Sequence, residues 1–231
     1  MRDQDLEGTT EDEERSVLTA RLVLRRPRTE DAAVLAAAID NPRVAKNLVS
    51  VPHPYRRADA ETWIRQSRYP AAGGAQIALS RSDGSLLGAS FHRPSESRPN
   101  GHDLSFWVAE HHWGEGFGTE IAHAAIDHAF GAGRLERLWC VVRVTNGPAR
   151  RVVEKCGFQF RDTGMVRSLS ERGSVPVEHF VLERRVWQSL KAWGANSWDT
   201  NSRGATAPTE FGTMKGLDTR ASDDDVTSDA A

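Results

Sequence analysis

Apolar and polar positions alternate from the first patterned stretch of the chain. In Leu18-Thr19-Ala20-Arg21-Leu22-Val23-Leu24-Arg25, Leu22 and Leu24 alternate with Arg21, Val23 and Arg25, which is the period of a strand. Pro27 ends it. Thr29 is placed to cap a helix over 30–39, whose apolar side reads as Ala33, Val34, Ala37 and Ala38. Asn41-Pro42 stops that helix. A second starts near Ala58 and carries Trp63 and Ile64, and Gly73-Gly74 breaks the chain. Strands follow at 76–80 and 86–92, joined across Asp83-Gly84, a strong hairpin signal. After a polar loop at 93–102 comes an apolar strand at 103–108.

Residues 116–130 predict a helix, with Phe117, Ile121, Ala124, Ala125 and Ala129 on one face. Residues 138–144 are apolar on both faces, as in a buried central strand. Asn146 then caps a helix to about Cys156, with Pro148 tolerated in its first turn. Strands at 158–162 and 179–186 complete the pattern. Mixed strands and helices on one continuous core predict a single α+β domain over 17–187.

The ends of the 231-residue chain differ from this body. Residues 1–14 lack apolar periodicity and carry a charge of −6, so a disordered acidic extension is expected. Residues 188–231 carry −3, are rich in Ser, Thr, Asp, Gly and Ala, and read as a flexible acidic tail. A net charge of −2 leaves +7 on residues 15–187, which agrees with an anionic ligand or with a plain solvated surface. No run of eighteen apolar residues is present, so no membrane-crossing helix is expected. The first residues hold no basic and apolar leader pattern, so no secretory signal is expected. Two cysteines, Cys140 and Cys156, exclude a disulfide scaffold and point to a reducing cytoplasm.

The chemistry concentrates in 105–120, where Trp113-Gly114-Glu115-Gly116-Phe117-Gly118-Thr119-Glu120 joins a strand to a helix. Successive amides in such a turn converge on one concavity, and the helix start adds unpaired donors and the positive end of its dipole. Glycine permits the backbone angles and lets an anion approach. This is a phosphate or pyrophosphate cradle. The Walker pattern fails, because no lysine stands between Gly118 and Thr119. The dinucleotide fingerprint is a poor match, since the glycines run G-x-G-x-G and the next strand ends without an acid at Val142-Arg143-Val144.

Three blocks in order resemble the GNAT N-acetyltransferases, and within them the RimJ/RimL type. They are L-T-A-R-L-V-L-R from Leu18, W-G-E-G-F-G-T-E from Trp113 and N-G-P-A-R-R-V-V-E-K-C-G-F from Asn146. The resemblance implies a mixed, twisted sheet, splayed between the strands at 103–108 and 138–144, with helices on both faces. It implies acetyl-CoA as cosubstrate and no metal. The pantetheine arm would pair with backbone near Trp107, Val108 and Ala109. The pyrophosphate would sit on Trp113, Gly114, Glu115, Gly116, Phe117, Gly118 and Thr119. Asn146 would lie beside the arm, cap its helix, or both, and Arg150 or Arg151 would face the adenosine phosphate. The acceptor implied is a small-molecule amine or a protein N-terminus, framed by 93–102, 164–178 and the helix near Trp63. A homodimer is compatible with the resemblance.

Transfer in this fold is direct: a neutral amine attacks the thioester carbonyl, a base takes its proton, and an acid can protonate the thiolate. Asp103 and Glu171 are the candidate bases, with Glu110 and Glu178 behind them. The residues that would supply the acid in relatives are Ala149 and Val153 here, so a water would serve or activity would be low. That departure keeps a CoA-binding regulatory role open. The histidines at 102, 111, 112 and 123 fit no usual metal-ligand spacing, although His102 or His112 could pass a proton through water. Cys140 reads as a core residue, and Cys156, at a helix end, as unreactive. The arginines are scattered and no nucleic-acid motif is present, so a nucleic-acid or protein-binding module is the lesser expectation.

Overall fold

A computed structural model describes residues 16–69, 73–98, 100–131 and 135–202. The acidic stretch 1–14 and residues 203–231 of the expected tail lie outside the described residues. Eight strands form one sheet in the order β1-β2-β3-β4-β5-β6-β8-β7. They are β1 (Val17–Leu18), β2 (Leu22–Arg25), β3 (Gly74–Ser80), β4 (Leu86–Pro94), β5 (Gly101–Val108), β6 (Arg137–Arg143), β7 (Gln159–Ser168) and β8 (Gly173–Glu183). The helices are α1 (Ala32–Ile39), α2 (Pro42–Ala45), α3 (Arg57–Ser67), α4 (Phe117–Gly131), α5 (Gly147–Lys155) and α6 (Arg184–Ser202).

The period-two alternation of strands decides which helix covers which face. Ile77 of β3 is buried with Leu35 of α1 and Ile64 of α3. Its neighbour Ala78 points the other way, to Ile121 and Ala124 of α4. The sheet is thus sandwiched between α1 with α3 on one face and α4 on the other, and α5 packs beside α4.

Every neighbouring pair of strands is antiparallel except β5 and β6. These two run parallel and pair only from Gly101↔Arg137 to Leu104↔Cys140. Beyond Leu104 they part, leaving 105–108 and 141–143 on opposite sides of a gap. The expected splay is present, and α4 and α5 both begin at its mouth.

Four local expectations need correction. The buried face of α1 is Ala32, Leu35, Ala36 and Ile39, while Val34 is 47% exposed. The sequence AAVLAAAI is apolar all round, so its periodicity marks no face, and the two bulky residues at i and i+4 decide the orientation. Thr29 is no cap. The buried Asp31 carboxylate accepts from the Arg28 amide (2.6 Å) and takes both arms of Arg25 (2.8 Å each). The stretch 164–178 is mostly the β7–β8 hairpin, turning at Arg172 (φ 53°). Finally, the segment from 188 continues as helix to Ser202. By its contacts the chain divides into two units, 1–193 and 194–231, and the second is described only as the last turns of α6 up to Ser202.

Candidate active site

The turn between β5 and α4 is shaped by its glycines. Gly114 and Gly116 hold φ of +86° and +85°, in the left-handed region that a side chain opposes. A Cβ at Gly114 would meet nothing within 4 Å, so open space and not crowding surrounds the backbone there. The Trp113 amide closes onto the Glu110 carbonyl and those of Thr119 and Glu120 onto Gly116. Between them, the amides of Gly114, Glu115, Gly116, Phe117 and Gly118 donate no hydrogen bond among the described residues. Five consecutive donors at the positive end of a fifteen-residue helix fit an anion with several oxygens, such as a diphosphate.

Residues of the opening strand block brace this turn. Arg21 gives Nη1 to the Glu115 carbonyl (2.9 Å) and lies over the Phe117 ring, 4.1 Å from its centre. Its Nε and Nη2 hold Glu120 at 2.9 and 2.8 Å. Thr19 adds a third contact to Glu120 at 2.5 Å. Burial works against ionisation of Glu120, but the bonds from Thr19 and Arg21 outweigh it and hold the carboxyl below its usual range.

From the turn a cleft of about 1610 Å³ runs through the gap in the sheet to α1, α3 and the β7–β8 turn. It exceeds a drug-sized site and has room for two reactants. The Ala109 amide bonds to the Leu87 carbonyl on β4. Strand alternation then directs the main-chain groups of Trp107 toward β4 as well, and those of Phe106 and Val108 toward the gap. Val108 therefore faces the gap with its carbonyl already taken by Trp113, whereas Trp107 reaches the cleft through its side chain and Ala109 is buried outside it. Glu115 also lies off the cleft wall; Trp113, Gly114, Gly116, Phe117, Gly118 and Thr119 line it. Trp113 donates its indole N–H to the Val108 carbonyl at 2.7 Å.

On the far side of the gap, Asn146 accepts from the Ala149 amide at 3.2 Å and lines the cleft, so it caps α5 and faces the ligand space together. Arg151 and Lys155 line the same wall. Arg150 turns away to Glu154 and Glu178, both at 2.9 Å. Val153 is fully buried, and Ala149 carries no proton donor.

The candidate bases are both in the cleft wall and both ion-paired. Asp103 is held by Arg98 at 3.2 Å, and Arg98 stacks on Trp139. Glu171 is held by the buried Arg143 at 2.5 Å, and that hydrogen bond keeps its carboxyl below the usual range. Glu110 bonds Asn41 and Arg43, and Glu178 bonds Arg150. His112 lines the cleft beside Glu115, but His102 sits on the opposite face of the sheet against His92. Burial pushes both cysteine thiols up to about 12, so neither is a nucleophile.

Tyr55, Asp59 and Phe91 also line the cleft, although the sequence pattern had not singled them out. The alternation of 86–92 was the available signal for Phe91: it lies opposite Ser105, on the face carrying Trp107.

A parted sheet thus stands beside a row of amides with no partner among the described residues, and the cleft between them has room for two reactants. The profile of the acetyltransferase (GNAT) domain matches residues 21–159, and the chain belongs to this family. The N-acetyltransferase YoaA of Bacillus subtilis, itself uncharacterised, is 25% identical over 167 residues, 69% of this chain and 90% of that protein. Among solved structures, the Vibrio cholerae spermidine N-acetyltransferase in complex with CoA and spermine superposes with a TM-score of 0.64 at 17% identity, covering 74% of this chain and 99% of that one. A ribosomal-protein alanine acetyltransferase from Vibrio fischeri gives 0.64 at 13% identity, over 74% and 98%. The fold is the GNAT fold, with no helix among the described residues long and apolar enough to cross a membrane.

Proposed function

We propose that this acetyltransferase moves the acetyl group of acetyl-CoA to a primary amine, as the RimJ/RimL type does. The observation that carries the reading is the row of unpaired amides at 114–118 opening onto the gap between β5 and β6. The diphosphate would take these donors, and the pantetheine arm would pair as an added strand with Phe106 and the Val108 amide, the Val108 carbonyl being held by Trp113. Asn146 meets the arm from the other side, while Arg151 and Lys155 meet the phosphates of the nucleotide. The shared fold of the Vibrio fischeri ribosomal-protein alanine acetyltransferase supports the subtype, together with the three sequence blocks.

Chemistry then follows from what the cleft offers. The amine nitrogen forms a bond to the thioester carbonyl carbon, the carbon–sulfur bond breaks, and the amine proton leaves. Arg143 holds the Glu171 carboxyl below its usual range, which makes it a poor proton acceptor, and Asp103 is tied to Arg98. The proton therefore passes to water in the open cleft, and water returns one to the thiolate, since Ala149 and Val153 supply none. Catalysis is by alignment of two bound reactants. The same missing donors favour a second reading, a CoA-binding regulator with weak turnover.

Calorimetric titration with CoA, paired with thiol release from acetyl-CoA over an amine panel, separates the two. Gly116→Val should weaken CoA binding at least tenfold, because a branched side chain opposes the +85° φ that turns the amides outward. Unchanged affinity would remove the turn as the diphosphate site. Tight CoA binding with no turnover on any amine would favour the regulator.

A further inference from the structure

The acceptor end of the cleft has a chemical character of its own. Cross-strand pairing puts Phe91 opposite Ser105 and Ala89 opposite Trp107, all on the face beneath α3. Trp63 of α3 meets Phe91 edge to face, with ring centres 6.2 Å apart. Tyr55, only 8% exposed, closes the same wall. The wall is therefore aromatic on two sides.

Its charges are nearly all spoken for. Asp103 belongs to Arg98 and Glu171 to Arg143. Asp59 accepts only the Arg56 amide (2.8 Å) and has no arginine or lysine paired to it among the described residues. Lys46 and Arg93 add positive charge to the wall. A chain of several ammonium groups finds one free carboxylate and a net cationic rim. A single ammonium on a flat apolar body finds that carboxylate, and ring faces that attract a cation and bury apolar area.

We infer that the acceptor is a primary amine with one positive charge and an aromatic body, gripped by Trp63 and Phe91, with Asp59 drawing in its ammonium. This rests on the acetyl-CoA reading above. A small arylalkylamine and a peptide beginning with phenylalanine share this chemistry, and the test distinguishes them.

The full chain is assayed with acetyl-CoA against 2-phenylethylamine, a Phe-initiated tetrapeptide, propylamine and spermidine. The expected result is a kcat/KM for one of the two aromatic acceptors at least tenfold above those of propylamine and spermidine. Whichever aromatic acceptor leads identifies the source. Trp63→Ala should raise KM for that acceptor about tenfold, with the KM for acetyl-CoA unchanged, and Trp63→Phe should restore most of it. Asp59→Asn should raise the acceptor KM in the same way. Equal or better use of spermidine or propylamine overturns the inference, as does a Trp63→Ala loss shared by all acceptors. No turnover of any amine by protein that binds CoA also overturns it, leaving the cosubstrate site standing. Failure to bind CoA would instead strike the acetyl-CoA reading itself.

Discussion

Arg21 and Glu120, ninety-nine positions apart, form a two-point contact: Nε and Nη2 of the arginine lie 2.9 and 2.8 Å from the same carboxylate oxygen. The Arg21 amide takes the other oxygen at 2.9 Å. One residue comes from the opening strand block and the other from the first turn of α4. The pair fixes the helix start, and with it the direction of the amides at 114–118.

Breaking this brace should loosen the turn and leave the core alone. Arg21→Ala is expected to weaken CoA binding about tenfold, equivalent to about 1.4 kcal/mol. The fold should survive, because Arg21 is an exposed side chain. Titration calorimetry beside a circular dichroism melt checks both parts. An unaltered Kd would show that the turn holds its shape without the pair.

Ion pairing of the carboxylates predicts weak effects where a catalytic base would give strong ones. Asp103→Asn and Glu171→Gln should each leave kcat within about threefold of wild type, against the roughly 10²–10⁴-fold loss typical of removing a general base. The rate should climb with pH as the free amine form of the acceptor grows. A hundredfold loss in either variant, with KM steady, would restore that residue as the base.

Much of the site was legible because its backbone demands particular residues. Gly114 and Gly116 stand at positive φ, and Asn146 is the α5 cap that its neighbours Gly147-Pro148 announced. Other features have no local signature. The orientation of α1 rests on side-chain size within an alanine-rich run. Strand β7 was expected only over 158–162; it is a sheet edge, exposed along most of its length, so no apolar alternation marked its continuation to Ser168. The pairs Arg98–Asp103 and Arg143–Glu171 form between long side chains that only the folded chain brings together, and they changed the reading of both candidate bases.

A row of three histidines gives the protein an acid-sensitive seam. His92 Nδ1 lies 3.0 Å from His102 Nδ1, and His92 Nε2 lies 3.3 Å from His128 Nδ1. Burial, then the charges of His128 and His102, pushes His92 from 6.5 down to about 3; burial lowers the other two as well. The unfolded chain therefore binds more protons below about pH 6.5. The contribution of His92 is complete above that value and is lost as pH falls toward 3. The Tm should drop between pH 7 and 5, a window above the titration of the lowered carboxyls of Glu120 and Glu171. His92→Asn should flatten the drop, and parallel curves for the two proteins would refute this origin.

The final helix is anchored more firmly than its composition implies. Trp187 stacks on Phe130 at 5.2 Å and donates to Asp127 at 2.7 Å, while Lys191 reaches the other Asp127 oxygen at 2.7 Å. Trp187→Ala should cost about 3 kcal/mol, the lower end for deleting a large aromatic that is only partly buried. Chemical denaturation measures it; a loss under 1 kcal/mol would mean that the stacking contributes little.

The short parallel seam between β5 and β6 has a mechanical corollary. Four matched residue pairs are all that tie the two strands, and past Leu104 the halves of the sheet have no rungs in common. On the acetyl-CoA reading, the pantetheine arm would act as a splint there, supplying missing rungs from its own amides. At a hundred times its Kd, such a splint adds about 2.7 kcal/mol to the folded state. Melting of the two halves should then become more concerted as the nucleotide is added.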